Sequence, residues 1–341
     1  MRYYKITVSD PATGEIFVPD YRTHTTTGFV RTPAGSGAAT FTTVLNGVTI
    51  PGALNIEFDI PVYQFAEPAG AASIRVWGIG LEQISQASNL NGMSIEIAGG
   101  MVSGLPLANP AQAGTLARGK IFQAFGNWQG INQTLDFVFY ADTGSADAPQ
   151  NLVLNWKAGM QLSAAISNTL QTAFPTYKQS IKISQNLVLV NDEVGYFQTL
   201  AQFSKYIRDI SQRAGGAGYD GVCISLQGKS IAVYDGSTKP TPPKQIVFTD
   251  LIGQPVRKDF ATIGLYCVLR HDIQVGDYIA LPKAQVTTTA QSYPAYRNQS
   301  VFQGTFQVGR VRHVGNFRDP DASSWITVID AYSSVPNAPP A

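Results

Sequence analysis

Residues 54–60 read LNIEFDI, and this short stretch decides the fold class. Apolar and polar residues alternate along it without a break. Because successive side chains of a β-strand point to opposite faces, the alternation predicts a half-buried antiparallel strand. One face would carry the apolar side chains and the other the polar ones, respectively Leu54, Ile56, Phe58 and Ile60 and then Asn55, Glu57 and Asp59.

Similar short runs recur on both sides of this strand in the first part of the chain. They are Tyr3–Val8, Ser73–Ile79, Met93–Ala98, Arg118–Phe125 and Thr134–Tyr140, and Gly, Pro and Asn residues separate them as in tight turns. In this part Leu81–Ser88 alone has helical spacing. Six short strands and one short helix predict a small barrel or sandwich, which the polar segment Asp142–Asn151 ends.

The periodicity becomes helical in the middle of the chain. Apolar residues recur every four positions from Leu162 to Phe174, just before Pro175, so residues 159–174 are predicted to form an amphipathic helix. A second helix is predicted over residues 198–213, ended by Gly215 and Gly216. The strands Gly221–Leu226 and Ser230–Tyr234 follow as a hairpin, and a Pro-rich break comes at Lys239–Lys244.

Strands return in the last part of the chain. They are predicted at Thr262–Arg270, Tyr278–Leu281, Val301–Val314 and Ser324–Ile329, with a long polar loop at Thr287–Ser300 and an extended tail at Ser333–Ala341. The sequence therefore predicts a mainly β chain with an α+β middle. We place the divisions at residues 1–147, 148–250 and 251–341.

Composition narrows the function classes. The 341 residues include 24 Lys and Arg against 23 Asp and Glu, and only 14% are charged. Such a balance argues against a free-standing nucleic-acid binder, which would carry a basic excess. Few charges and many aromatics are typical of subunit interfaces. No secretory signal or membrane-length apolar run is visible, and Cys223 and Cys267 suit a chain folded in a reducing cytoplasm.

Glycine motifs do not indicate a nucleotide site. Gly216, Gly218 and Gly221 match G-x-G-x-x-G, but they follow a helix and enter a strand, which reverses the order that a pyrophosphate site needs. The segment Gly221–Ser230 ends like a phosphate loop, yet six residues separate its two glycines where that loop has four. We expect no cofactor.

Candidate catalytic groups are few. The histidines His24, His271 and His313 are far apart and lack metal-ligand spacing. His271 next to Asp272 is a possible acid/base pair, but we favour a strand-edge role because no nucleophile motif accompanies it. Glu57 and Asp59 share a strand face, as the two carboxylates of a glycosidase must face one another, but a solvated strand face explains them better. We expect no catalytic or metal-binding residue.

A local basic run occurs near the C-terminus: Arg297, Arg310, Arg312, His313 and Arg318. It is a candidate for contact with phosphate or an acidic partner. Arg310 and Arg312 alternate with Val311, however, as on any half-exposed strand. We therefore favour a structural or subunit contact, with a charge facing a channel as the alternative.

The succession of these segments resembles the baseplate hub proteins of contractile-tailed bacteriophages, the family of the late-control D protein and the trimeric tail hub. In the first part, the strand over residues 54–61, the segment 73–77 leading into the Leu81 helix, residues 91–100, residues 117–122 and residues 135–139 resemble the family's tube domain. In the middle, the helix before Phe174 and the turn at residues 249–255 resemble the hub's intermediate region. Residues 273–282, 304–315 and 325–328 resemble the second barrel.

The resemblance implies two tube-type antiparallel β-barrel domains flanking or enclosing a small α+β domain. It implies a homotrimeric ring of pseudo-sixfold symmetry that is not an enzyme and that adapts the tail tube to the central spike around a DNA channel. Expected partners are the spike, the tube or tube-initiator protein, the C-terminus of the tape-measure protein and other baseplate proteins, with DNA only in transit and no stable membrane association. The location is the virion tail, assembled in the host cytoplasm. The alternative is a cell-wall or glycan hydrolase or a carbohydrate-binding tail component.

Overall fold

The chain is mainly β in the computed structural model, which describes residues 1–21, 28–62, 71–102, 109–141, 150–237, 242–259, 262–282 and 304–332. The first strands are β1 (Arg2–Ser9), β2 (Ile16–Pro19), β3 (Phe29–Thr32), β4 (Phe41–Thr42), β5 (Val44–Leu45), β6 (Val48–Thr49), β7 (Asn55–Val62), β8 (Ala72–Trp77), β9 (Ser94–Met101), β10 (Gly114–Gln129) and β11 (Asn132–Tyr140). The middle strands are β12 (Leu152–Trp156), β13 (Lys178–Lys182), β14 (Glu193–Phe197), β15 (Cys223–Gln227) and β16 (Ser230–Tyr234). The last strands are β17 (Lys244–Gln245), β18 (Val256–Arg257), β19 (Thr262–Val268), β20 (Tyr278–Ala280), β21 (Thr305–Asn316) and β22 (Trp325–Tyr332). The helices are α1 (Leu81–Ser85), α2 (Leu162–Ala173) and α3 (Leu200–Gly215).

The stretch that decides the fold class forms β7, and its predicted alternation is confirmed. Ile56, Phe58, Ile60 and Val62 are buried, while the residues between them are partly exposed. The other five strands predicted in the first part also form, as β1, β8, β9, β10 and β11. The predicted Leu81–Ser88 helix divides into α1 and a 3₁₀ turn at Ala87–Leu90.

The main sheet contains the same arrangement of six strands twice. In the first strand unit the order across the sheet is β7-β8-β11-β10-β9-β1, and in the second strand unit it is β18-β19-β22-β21-β20-β17. Position by position, the strands also follow the same order along the chain. One pairing differs, because β1 is antiparallel to β9 whereas β17 is parallel to β20.

The correspondence between the two strand units extends to single residues. The β10/β11 ladder skips one residue at Phe122, and the β21/β22 ladder skips one at Gly309. When these two bulges are matched, buried residues fall on buried residues and exposed on exposed: Ile121 on Val308, Ala124 on Val311, Phe137 on Ile329 and Tyr140 on Tyr332. The chain thus carries two versions of one β architecture.

The two strand units join through β21. Its first residues pair with β20, and its last part, Val311–Asn316, pairs antiparallel with β7 on that same side. We call this β7/β21 contact the intrachain seam. It makes the sheet continuous from one unit to the other, and apolar side chains of both units form one hydrophobic core.

The middle of the chain forms a separate α+β layer with its own core. The parallel pair β13/β16 and the antiparallel pair β15/β16 make a three-stranded sheet, and β12 pairs with β14. Both predicted helices are confirmed, and their apolar stripes are buried in this second core: Leu162, Ile166 and Leu170 from α2, and Leu200, Phe203, Ile207 and Ile210 from α3.

The glycine-rich segment after α3 leads into a hairpin, as predicted. Gly216, Gly218 and Gly221 all have positive φ angles, and the chain passes from a helix into β15. Gln227 pairs with Ser230, so Gly228 and Lys229 form a two-residue turn, with Gly228 at φ 57°. In the described segments no helix has the length and apolar character needed to cross a membrane.

Candidate functional site

Glu57 and Asp59, which were weighed above as an acid pair, lie on the outer face of the intrachain seam. Across β7, Glu57 is opposite Arg75 of β8 and Asn316 of β21, and Asp59 is opposite Ser73 and Val314. These strands form the floor of an open depression of about 470 Å³. Its lining is mixed in charge and comprises Glu57, Phe58, Asp59, Ser73, Ile74, Arg75, Asp136, Val314, Gly315, Asn316 and Ser324.

Each carboxylate in this depression is held by a neighbouring side chain. Arg312 donates two hydrogen bonds to Asp59, the first from Nε at 2.7 Å. Arg75 Nε donates to Asp136 at 2.6 Å, and Asn316 Nδ2 donates to Glu57 at 3.1 Å. Glu57 and Asp59 lie side by side on one strand and do not face each other across a cleft. This arrangement suits cross-strand pairing rather than the opposed carboxylates of a glycosidase.

The predicted His271 and Asp272 pair has separate partners. His271 donates from both its backbone N and its ring Nδ1 to the carbonyl oxygen of Gln112, at 2.9 and 2.8 Å. Asp272 accepts two hydrogen bonds from the guanidinium of Arg270, each at 2.7 Å. Burial acts to raise the pKa of Asp272, but the hydrogen bonds and charge of Arg270 outweigh it and leave that pKa lowered.

Arg270 is the centre of a polar network that sequence reasoning missed. Its side chain is only 4% exposed and also donates to Asp250 at 2.7 Å. Asp250 accepts a further hydrogen bond from Gln112 Nε2 at 3.1 Å. The network therefore ties the first strand unit, through Gln112, to the second. The one sequence signal was a charged triplet, Arg270–Asp272, at the end of an apolar strand.

The basic run does not form one patch. Arg297 lies outside the described residues, and Arg310 is exposed on β21 opposite Asp330 of β22. Arg312 pairs with Asp59. Arg318 donates to the carbonyl oxygen of Ala53 at 2.5 Å, which fastens the chain after β21 to the start of β7.

His313 is fully buried and is the remaining member of that run. Its Nδ1 lies 3.0 Å from the hydroxyl of Thr327, which also donates to the carbonyl oxygen of Arg270. Its Nε2 is buried and has no partner among the described residues. Burial, together with the nearby His271, lowers the pKa of His313 to about 3. This histidine is therefore a neutral core residue at the seam and cannot contribute to a basic surface.

The remaining chemical candidates do not converge. In the described segments no three His, Cys, Asp or Glu side chains are placed to hold a metal ion. Cys223 and Cys267 form no disulfide, and burial raises the pKa of Cys267 to about 12. His24 and the predicted loop Thr287–Ser300 lie outside the described residues, as does the tail Ser333–Ala341.

Two open strand edges are the features that most need an explanation. On its β9 side, the β10 ladder ends at Lys120, followed by a backbone bond from Ile121 to Met93. Beyond Ala124, no strand in the described part of the chain covers that side of β10. The second open edge is β18, which is the end strand of the sheet and pairs with β19 on one side only among the described residues. Both edges carry exposed apolar side chains, with Phe125 36%, Trp128 63% and Val256 59% exposed. An open edge of this kind is a template for pairing with another chain.

No protein-family model and no curated protein matches the sequence. Solved structures similar to the chain include a tail protein from Neisseria meningitidis (TM-score 0.46, 11% identity, 97% of this chain and 97% of that one). The 43 kDa tail protein of prophage MuSo2 from Shewanella oneidensis has a TM-score of 0.46 at 7% identity, over 84% of this chain and 99% of that one. An E. coli component of the type VI secretion system, described as similar to T4 bacteriophage tail proteins, has a TM-score of 0.43 at 10% identity, over 84% of this chain and 76% of that one.

Proposed function

We propose that this chain is the structural hub of a bacteriophage tail baseplate, a homotrimeric ring that adapts the tail tube to the central spike. The observation that carries the proposal is the repetition of one six-strand order in the two strand units. Three copies of a chain with two similar units present six similar units, so the ring has true threefold and approximate sixfold symmetry. Such a ring can match a sixfold partner on one side and a threefold partner on the other.

We assign a separate role in the ring to each of the three segments 1–147, 148–250 and 251–341. The first and last supply the ring of six β units, completed in each copy by β17 from the end of the middle segment. The rest of the middle segment, with its separate core, is free to make contacts that break the sixfold pattern. We assign the spike, the tube or tube-initiator protein, the tape-measure C-terminus and other baseplate proteins as partners.

The ring would enclose a channel through which DNA passes without being held. A net charge of +1 over 341 residues suits such a channel, because a strongly basic lumen would bind the phosphate backbone. The outer face of the intrachain seam is likewise balanced in charge, because Arg312 pairs with Asp59 and Arg75 pairs with Asp136. We propose no catalytic residue, no cofactor and no membrane association. Assembly in the host cytoplasm and a location in the virion tail complete the proposal.

Light scattering on the purified chain tests the proposal. A mass three times 36.7 kDa is expected, and electron microscopy should then show rings with a central pore. A stable monomer that forms no ring even when a spike protein is added would contradict the proposal. The hydrolase alternative predicts release of sugar from peptidoglycan or glycans that is lost in Glu57→Gln, a substitution that the hub proposal expects to leave ring formation intact.

A further inference from the structure

The intrachain seam shows how two of these strand units join. Beyond the point where β20 ends, β21 pairs antiparallel with β7, the outermost strand of the first unit. Within this ladder Val314 is opposite Asp59, and His313 is opposite Ile60. The seam therefore joins the free part of an inner strand to the edge strand of the other unit.

Each strand of the seam has a counterpart that has no such partner strand in the described part of the chain. Matching the bulges at Phe122 and Gly309 places Asn127 of β10 on Val314 of β21. Ser73 and Gly264 also correspond in this alignment. Ser73 is opposite Val138 of β11, which is opposite Gln123, the residue after the first bulge. Gly264 is opposite Asp330 of β22, which is opposite Arg310, the residue after the second bulge. Asp59 pairs with Ser73 and Val256 pairs with Gly264. Val256 of β18 is therefore the counterpart of Asp59 of β7.

These counterparts are the two open edges described above. The free part of β10 comprises residues 125–129, just as the seam uses the last part of β21. β18 is the outermost strand of its unit, as β7 is of the first. Among the described residues, the repeated architecture thus uses one joint inside the chain and leaves both halves of a second, equivalent joint without a partner strand.

The side chains at the open edges complement each other. Across the intrachain seam, Arg312 pairs with Asp59. In the structural alignment Phe125 takes the place of Arg312, and Val256 takes the place of Asp59. The ion pair of the intrachain seam is thus replaced by two exposed apolar side chains. An aromatic and a β-branched residue form a favourable cross-strand pair, whereas either one left in water has no role in the fold.

We infer that residues 125–129 of one copy pair antiparallel with the β18 edge of a second copy, with Asn127 opposite Val256. This contact rests on the proposed function, since it is the joint that closes the ring. Intrachain and intercopy seams then alternate around three copies. The contact joins two different surfaces of the chain, which is the heterologous arrangement that a closed ring requires.

Disulfide trapping tests this contact directly. Directly opposite residues of an antiparallel pair have Cα atoms about 4.5–5.5 Å apart, which lies within the range that a disulfide spans. The double variant Asn127→Cys with Val256→Cys should give covalent dimers and trimers on non-reducing gels after mild oxidation. The single variants should give neither, and they control for bonds to Cys223 or Cys267.

The equivalent pair inside the chain supplies the matched control. Asp59→Cys with Val314→Cys should form a disulfide within one chain, so its band keeps the mass of one copy. If this control oxidises and the wild-type chain is a trimer, but the Asn127 and Val256 cysteines form no intercopy bond, the contact is wrong and the hub proposal stands. A wild-type chain that is a monomer at every concentration and forms no ring when a spike protein is added would overturn the ring itself.

A second test does not depend on disulfide formation and instead replaces the apolar side chains at the contact. Phe125→Asp with Val256→Asp places two like charges at the contact, and we expect the trimer to fall to the mass of one copy. Val48→Asp is the control, because Val48 is exposed on β6, which belongs to the separate two-stranded sheet β5/β6 and to neither edge. A trimer that persists in the Phe125 and Val256 variant would overturn the contact, whereas far-ultraviolet circular dichroism checks that the variant is folded.

Discussion

The first and second strand units share one strand order but hold it by different means. β1 and β9 form eight residue pairs, whereas their counterparts β17 and β20 form two. In place of that ladder, the second unit has the buried network of Arg270, Asp250 and Asp272, which also reaches Gln112 of the first unit. The two units thus differ at one pairing: the eight-residue ladder of the first corresponds in the second to two residue pairs and a buried ionic network. Because that network reaches Gln112, we expect the second unit to depend on the first.

The largest expected effect breaks the buried network. Arg270→Met removes the cation and leaves two carboxylates without it, which should lower the free energy of unfolding by about 3–5 kcal/mol. Urea unfolding followed by circular dichroism measures the change. Lys157→Met is the control, since its ion pair with Asp192 is exposed on both sides and should cost about 1 kcal/mol or less. Equal losses in the two variants would show that the network does not hold the second unit.

A matched pair of core substitutions tests whether the two units unfold together. Ile74 and Leu265 occupy equivalent positions of β8 and β19, and both are buried in the common core. Ile74→Ala and Leu265→Ala should each lower the free energy of unfolding by about 2–5 kcal/mol. Because the core is continuous, both variants should shift one and the same thermal transition. Two separate transitions, each sensitive to one variant, would contradict the dependence of the second unit on the first.

Many single elements of the fold could be predicted from the sequence, and the elements that could not have physical reasons. Alternation over residues 54–60 predicted β7 correctly, and apolar spacing predicted α2 and α3, because each element buries one face and exposes the other. The strands β12 to β14 were missed. β13 has no fully buried residue, and its sequence KQSIK carries no alternation. Its pairing partner β16 lies about 50 residues away in the chain.

The candidate site was harder to predict than the fold. A strand order depends on pairing between segments that are distant in the chain, so the sequence does not show that it occurs twice. Equivalent positions of the two units also carry different residues: Phe125 corresponds to Arg312, and Val256 corresponds to Asp59. The basic run near the C-terminus likewise suggested a basic surface that the structure does not have. His313 follows Arg312 directly, yet strand alternation turns its side chain into the core.

His313 at the intrachain seam should make the free energy of unfolding depend on pH. Its pKa is lowered to about 3 in the folded chain, against about 6.5 for an unfolded histidine. Between these values the unfolded chain binds a proton that the folded chain does not, so stability is lost as the pH falls below about 6.5. We expect the free energy of unfolding of the wild type to fall by about 1.4 kcal/mol per pH unit relative to His313→Leu. Parallel pH profiles for the two proteins from pH 7 to pH 4 would contradict the assignment of a neutral histidine at the seam.

The smallest expected effect concerns the ion pair across the intrachain seam. Arg312 and Asp59 are about half exposed, and exposed pairs typically contribute about 1 kcal/mol or less. A double-mutant cycle with Arg312→Ala and Asp59→Ala should therefore give a coupling free energy in that range, smaller still in high salt. A larger coupling would mean that side-chain charge holds the intrachain seam. A small one assigns the seam to its backbone ladder and to the core beneath it, so the contact that we infer between β10 and β18 would not need an ion pair of its own.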